Sequence, residues 1–243
     1  SQNSPVPVGS LSSGVAAISV GYRHACAIKT NGALYCWGNN NYGQIGIGTT
    51  NIQDIPKAVT YMSSGTTQVD TGWFHTCAIK TGGSVYCWGS SSWGELGIGT
   101  TGTSELVPVL LPSMNSGVAT ISAGNGHTCA IKEDGSAWCW GRNNSGQLGD
   151  GSGVTQTSPV LVSSLSMDAT SISADDEVTC AIKTDGSAWC WGNNFYGQLG
   201  DNTTIERDTP IQVDGLSSEV SSLLTSGNHT CAIKKDGTLW CWG

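Results

Sequence analysis

Ten cysteines fall in five pairs: Cys26 and Cys36, Cys77 and Cys87, Cys129 and Cys139, Cys180 and Cys190, Cys231 and Cys241. The partners are always ten positions apart, and the second is always followed by Trp-Gly. Two thiols so placed can close a disulfide, ligate a metal or stay as buried thiols. Structural zinc wants four ligands, typically from two close pairs, whereas each pair here stands alone in its own stretch of chain. The intervening residues decide further. In Cys26-Ala27-Ile28-Lys29-Thr30-Asn31-Gly32-Ala33-Leu34-Tyr35-Cys36 the apolar residues alternate as in strands, and Asn31-Gly32 is a hairpin turn signal. A turn centred on Asn31 sets Lys29 opposite Ala33, Ile28 opposite Leu34 and Cys26 opposite Cys36. Opposed strand residues lie about 4.5–5.5 Å apart, which is disulfide range. One disulfide per hairpin is the expected chemistry. Each short bridge stabilises by at most about 3 kcal/mol in the loop-entropy picture, and five of them imply an oxidising, extracellular setting.

The hairpins must be held by a repeat. Successive first cysteines are 51, 52, 51 and 51 residues apart. Upstream of each hairpin stands a Pro-containing strand (Ser4-Pro5-Val6-Pro7-Val8, Ile55-Pro56, Val107-Pro108-Val109, Ser158-Pro159-Val160, Thr209-Pro210-Ile211), its first proline 21 residues before the first Cys each time. Proline cannot donate to a ladder, so this is an edge strand. A second strand of small residues follows (Val15–Val20, then Thr67-Gln68-Val69, 119–123, 170–174 and 220–224), which suits the crowded axis of a ring. After Trp-Gly come Gly43-Gln44-Ile45-Gly46, Gly94-Glu95-Leu96-Gly97, Gly146-Gln147-Leu148-Gly149 and Gly197-Gln198-Leu199-Gly200, tight turns whose apolar residue plugs the gap between repeats. Four short strands per repeat of about fifty residues predict an all-β fold, a β-propeller of five disulfide-stapled blades. The whole chain reads as one domain with repeats near 1–46, 47–97, 98–149, 150–200 and 201–243. The last hairpin has no Pro strand after it, so Ser4–Val8 is expected to complete that blade and close the ring. Donation of the same strand to a neighbour, building a filament, is the alternative.

The stretch His127-Thr128-Cys129-Ala130-Ile131-Lys132, then Asp134-Gly135, Cys139-Trp140-Gly141, Asn143 and Gly146-Gln147-Leu148-Gly149 resembles the repeat of the regulator of chromosome condensation family, and its counterparts cover nearly the whole chain. The resemblance implies a β-propeller, in that family usually seven-bladed. Five repeats then make a five-bladed ring or an arc that takes blades from elsewhere. Members of the family include a guanine-nucleotide exchange factor for a small GTPase bound to chromatin, and bacterial propellers that inhibit secreted enzymes.

The net charge of −8 gives no basic stripe for nucleic acid. Half of the ten basic residues are one turn position (Lys29, Lys80, Lys132, Lys183, Lys234), with acids such as Glu133, Asp134, Asp185 and Asp236 nearby, and fourteen of the eighteen acids follow residue 130. No apolar run is long enough to span a membrane. No signal peptide is legible; Ser1 fits a mature chain or an arbitrary boundary. The motifs of serine hydrolases, P-loops, zincins and dinucleotide-binding folds are missing, so no catalytic residue, cofactor or metal is expected.

His24, His75, His127 and His229 stand two residues before their cysteines and occupy one repeat position, with Val178 in the fourth repeat. They read as histidines bonded to loop backbone of their own blade. Trp37, Trp88, Trp140, Trp191 and Trp242 read as packing between blades. Function is sought where the repeats disagree. The loops before the cysteines and those after Trp-Gly bring Tyr22, Arg23, Tyr42, Trp73, Phe74, Trp93 and Tyr196 toward one rim, an aromatic surface of the composition used for protein or glycan contacts. Asp175, Asp176 and Glu177 are a weak candidate for calcium. Asn143, Asn202 and Asn228 head glycosylation sequons.

The expectation is a secreted, non-enzymatic structural or interaction module that binds a protein, a glycan or copies of itself. An inhibitor of a secreted enzyme is a further alternative; exchange factor and hydrolase come last.

Overall fold

The computed structural model describes residues 4–165 and 167–243. Its strands form five antiparallel sheets. The first runs β1 (Val15–Val20), β2 (His24–Lys29), β3 (Leu34–Gly38), β4 (Gln53–Ala58) in spatial order. The second repeats it with β5 (Thr66–Thr71), β6 (His75–Lys80), β7 (Ser84–Gly89) and β8 (Glu105–Leu110). The third has β9 (Val118–Ala123), β10 (His127–Lys132), β11 (Ala137–Gly141) and β12 (Gln156–Leu161). The fourth has β13 (Ala169–Asp175), β14 (Val178–Lys183), β15 (Ala188–Gly192) and β16 (Arg207–Gln212). The fifth has three strands, β17 (Val220–Ser226), β18 (His229–Lys234) and β19 (Leu239–Trp242).

The hairpins have the expected register. Cys26 opposes Cys36 and Ile28 opposes Leu34, while Lys29 N donates to Ala33 O at 2.9 Å. All five disulfides form, each with a Cα–Cα separation of 4.1 Å. The turns are pinned by the residue before their glycine: Asn31 Oδ1 accepts Ala33 N, and Asp134, Asp185 and Asp236 do the same two residues on.

The Pro strand lies at the outer edge of the sheet formed by the hairpin before it. Pro56 and Pro159 fall where the ladder to that hairpin is irregular, so no amide is missed. Ser4–Val8 belongs to no strand. Its expected pairing with the last hairpin is therefore not made within this chain, and the fifth sheet stays three-stranded.

The small-residue strands β1, β5, β9, β13 and β17 contact one another in succession along the inside. Four apolar clusters fill the four seams between sheets. Ile45, Leu96, Leu148 and Leu199, the predicted plugs, are fully buried in them. The glycine after each plug is obligatory. A Cβ on Gly46, Gly97, Gly149 or Gly200 would lie 2.7–2.8 Å from the indole nitrogen of the next sheet's tryptophan, at a φ between +70° and +79°.

Candidate interaction rim and axial cavity

Each seam is latched by one carbonyl. Gln44 O accepts Trp88 Nε1–H at 2.9 Å and Thr76 Oγ1–H at 2.8 Å. Glu95 O, Gln147 O and Gln198 O receive the same two donors from the following sheet. The expected inter-blade role of tryptophan therefore holds for Trp88, Trp140, Trp191 and Trp242. Trp37 faces no preceding turn and is half-buried. The histidines differ from expectation. His24, His75 and His127 reach across the seam to Thr76, Thr128 and Thr179 of the next sheet at 2.8–2.9 Å, rather than to backbone of their own. Each threonine spends its proton on the carbonyl, so the imidazole Nε2–H is the donor and Nδ1 is bare. Burial holds these rings neutral, lowering His24 to about 3, His75 to about 4 and His127 to about 3. They are seam fasteners.

The axis carries a second ladder that the sequence pattern did not reveal. One side chain of each inner strand accepts a backbone N–H from the next: Ser19 from Thr71, Asp70 from Ala123, Ser122 from Ala174 and Ser173 from Thr225, at 2.8–3.1 Å. Asp70 also accepts Ser19 Oγ–H at 2.9 Å, and burial pushes its carboxyl up. The signal was present as an aspartate where three other repeats have serine. Leu224 ends the ladder.

At one mouth of this axis lies a cavity of about 770 Å³, lined by residues from all five inner strands and from four of the loops after them. Tyr22 and Trp73 form part of its wall, stacked at 4.7 Å. Asp70, Asp175 and Asp176 line it, with no Lys or Arg among the described lining residues.

The structure brings most of the predicted rim together. Trp73 and Tyr22 each contact Phe74 edge-on, and Tyr42 packs on Phe74 at 5.2 Å, joining a loop before the cysteines to one after Trp-Gly. Tyr42, Phe74 and Trp93 line a shared groove of about 200 Å³. Arg23 lies over Tyr22, and Arg142 lies over Trp93. Tyr22 and Trp93 stay about half exposed, at 53% and 47%. Tyr196 stands apart in the fourth repeat against exposed Phe195.

The acidic triplet disperses. Asp175 accepts Gly227 N, Asp176 accepts Asn125 Nδ2, and Glu177 pairs with Arg142 at 2.6 Å. Burial raises the Asp175 carboxyl. Three carboxylates committed to three directions are a poor calcium cage. Asn143 is fully buried, and its amide nitrogen donates to Asp150 and to Val154 O. The folded chain therefore does not offer this sequon, whereas Asn202 and Asn228 are exposed.

Five such sheets around an axis define a β-propeller architecture. The Regulator of chromosome condensation (RCC1) repeat model matches residues 31–79, 82–131, 134–182 and 185–233, and a second model of the same repeat matches 15–44, 67–94, 118–147 and 170–198. The chain belongs to this repeat family. It is 33% identical over 210 residues to the ultraviolet-B receptor UVR8 of Arabidopsis thaliana, covering 84% of this chain and 47% of that one. It is 31% identical over 222 residues to the probable E3 ubiquitin-protein ligase HERC6 of Homo sapiens, covering 88% and 22%. The chain thus spans half or less of these two relatives. Among solved structures, human WBSCR16 aligns with a TM-score of 0.84 at 19% identity, covering 94% of this chain and 61% of that one. Yeast RCC1 (Prp20) bound to Kap60 aligns at 0.79 and 22%, covering 91% and 54%.

Proposed function

We propose that this chain is a non-enzymatic interaction module of an oxidising, extracellular compartment, and that it contacts a partner protein through the rim of its first three sheets. The observation that carries the reading is the continuous aromatic surface Tyr22–Trp73–Phe74–Tyr42, in which Tyr22 and Tyr42 are exposed and Trp73 and Phe74 partly buried, bordering the acidic mouth of the axis. Scaffold positions explain the buried tryptophans, histidines and threonines. They do not explain large rings left in water on loops that differ between repeats. Aromatic anchors beside desolvated polar groups are what protein interfaces use. The carboxylates at the axis favour a partner that presents Lys or Arg there. Five disulfides support the compartment. A structural neighbour, yeast RCC1 (Prp20), is solved with a protein, Kap60, bound.

The test is selection of binding peptides from a displayed random library on the immobilised chain, with a glycan array in parallel. The reading expects enriched peptides to carry a basic residue and to lose at least about tenfold in affinity on Tyr22→Ala with Trp93→Ala. Tyr61→Ala, an exposed ring on another turn, is expected to leave binding intact. Peptides insensitive to the rim pair would overturn the reading, and binding confined to glycans would change the partner class.

A further inference from the structure

We propose that the groove over the seam between the second and third sheets receives one lysine side chain of the partner protein, its ammonium on the Glu95 carboxylate and its stem against Tyr42, Phe74 and Trp93. This rests on the rim reading for where the partner sits and adds what the partner must insert there.

Glu95 departs from its own repeat position. Gln44, Gln147 and Gln198 each accept, through Oε1, the backbone N–H two residues earlier, at 2.8–3.0 Å. Glu95 does this with Oε2, accepting Trp93 N at 2.7 Å. Its second oxygen therefore stands where the others carry an amide nitrogen. In the first and fourth repeats that nitrogen donates to Asn39 or Asn193 at 3.0 Å. The second repeat has Ser90 in place of this asparagine, and the Ser90 hydroxyl is paired with that of Ser92 at 3.0 Å. Glu95 Oε1 thus has no hydrogen-bond partner among the described residues, on a side chain only 2% exposed that lines the groove. A buried carboxylate oxygen left without a donor is costly, and in a native fold it calls for one.

The next seam shows what belongs there. Arg142 and Glu177 are the repeat counterparts of Ser90 and Gly126, and they fill the equivalent place with an ion pair at 2.6 Å. In the groove both side chains are reduced to Ser90 and Gly126, the carboxylate comes from Glu95, and no Lys or Arg is among the described lining residues. His75 also lines it, but burial holds that ring neutral, at about 4. Arg142 lies over Trp93 but is committed to Glu177. The cation has to be brought from outside.

The acceptors select lysine over arginine. An arginine fork uses both oxygens of a carboxylate, and Trp93 N already holds one. An ammonium is a point charge with three donors. Glu95 Oε1 takes the first. Asn125 gives its amide nitrogen to Asp176 at 3.0 Å, so its Oδ1 remains to accept the second, and the Ser90–Ser92 hydroxyls are beside it for the third. Aromatic rings suit both the methylene stem and the charge.

The probe is Nα-acetyl-lysine methylamide, titrated while the Trp93 indole and Asn125 amide signals are followed by NMR. We expect these signals to shift and saturate with a dissociation constant of roughly 1–10 mM. The norleucine and Nε-acetyl-lysine analogues, which have the stem without the charge, should not saturate. Glu95→Gln installs the residue found at 44, 147 and 198, so it should keep the melting temperature while weakening the lysine probe at least about tenfold. Ser90→Asn with Glu95→Gln rebuilds the Asn39–Gln44 pair and should do the same. No saturation by the lysine probe, equal binding of norleucine, or binding undiminished by Glu95→Gln would overturn the proposal. Selected peptides that lose affinity on Tyr22→Ala with Trp93→Ala but not on Glu95→Gln would overturn it too, and leave the rim reading standing. A lysine probe seated in the groove while selected peptides ignore the rim pair would keep the lysine site and remove the rim reading.

Discussion

Thr128 has one hydroxyl proton, and it goes to Glu95 O; the lone pair faces His75 Nε2–H. Thr128→Ala strands a fully buried imidazole donor, and we expect it to cost about 1–3 kcal/mol in chemical denaturation. Ala25 holds the same position in the first sheet and carries no hydroxyl. Asp70 gives the opposite sign. Ser19, Ser122 and Ser173 hold the next strand's amide without a charge, while Asp70 does so with a buried carboxylate whose affinity for a proton is raised by burial. Asp70→Ser should therefore stabilise at pH 7, on the order of 1 kcal/mol, with the gain vanishing below about pH 3.8, where the carboxyl is protonated folded or unfolded. A lower melting temperature at pH 7 would contradict this. The repeated His and Thr were visible as positions, but their partners lie 52 or 53 residues away on another sheet, and no local pattern records that contact.

The hairpin was the most legible element because its signals agree. Alternation, an Asn-Gly or Asp-Gly turn in most copies and a cysteine at each mirrored position all demand one register. The Pro strand was legible as an edge because proline has no N–H to give. The bridges are not equally sheltered: the cysteines of the first four are fully buried, whereas Cys241 is exposed. A mild reductant should open Cys231–Cys241 first, and peptide mapping after alkylation should find label on that pair before any other. Full reduction and unfolding should then add ten labels, and the unreduced chain none. Simultaneous labelling of all five pairs would mean that the sheets open together.

Acid acts on the molecule as a whole. Three histidines have folded pKa values below the unfolded 6.5, at about 3, 4 and 3. Between those values and 6.5 the unfolded chain binds more protons, so stability is full above 6.5 and falls as pH drops, by up to about 1.4 kcal/mol per unit for each ring. Asp70 and Asp175, with raised values, work the other way but are fewer. Melting temperature should fall steadily from pH 7 to pH 5, and a flat profile would contradict the buried neutral rings. At this scale the sequence was least legible. The five repeats and their order could be counted, but whether five sheets close or remain an arc depends on a few degrees at each seam. That angle is set by the turn plugs and tryptophans packed together, and no single residue encodes it. The rim was legible in part, since loops that differ between repeats could be picked out. The stacking of Tyr22 on Trp73, and the acidic cavity beside it, arise only once neighbouring sheets fix where those loops stand.

The most direct test of the interaction account is amide hydrogen exchange of the chain with and without a rim-selected peptide ligand. The account predicts slowed exchange confined to the loops around Tyr22, Trp73, Trp93, Asn125 and Asp176. Protection centred on the outer strands β4, β8, β12 and β16, with the rim unchanged, would contradict it.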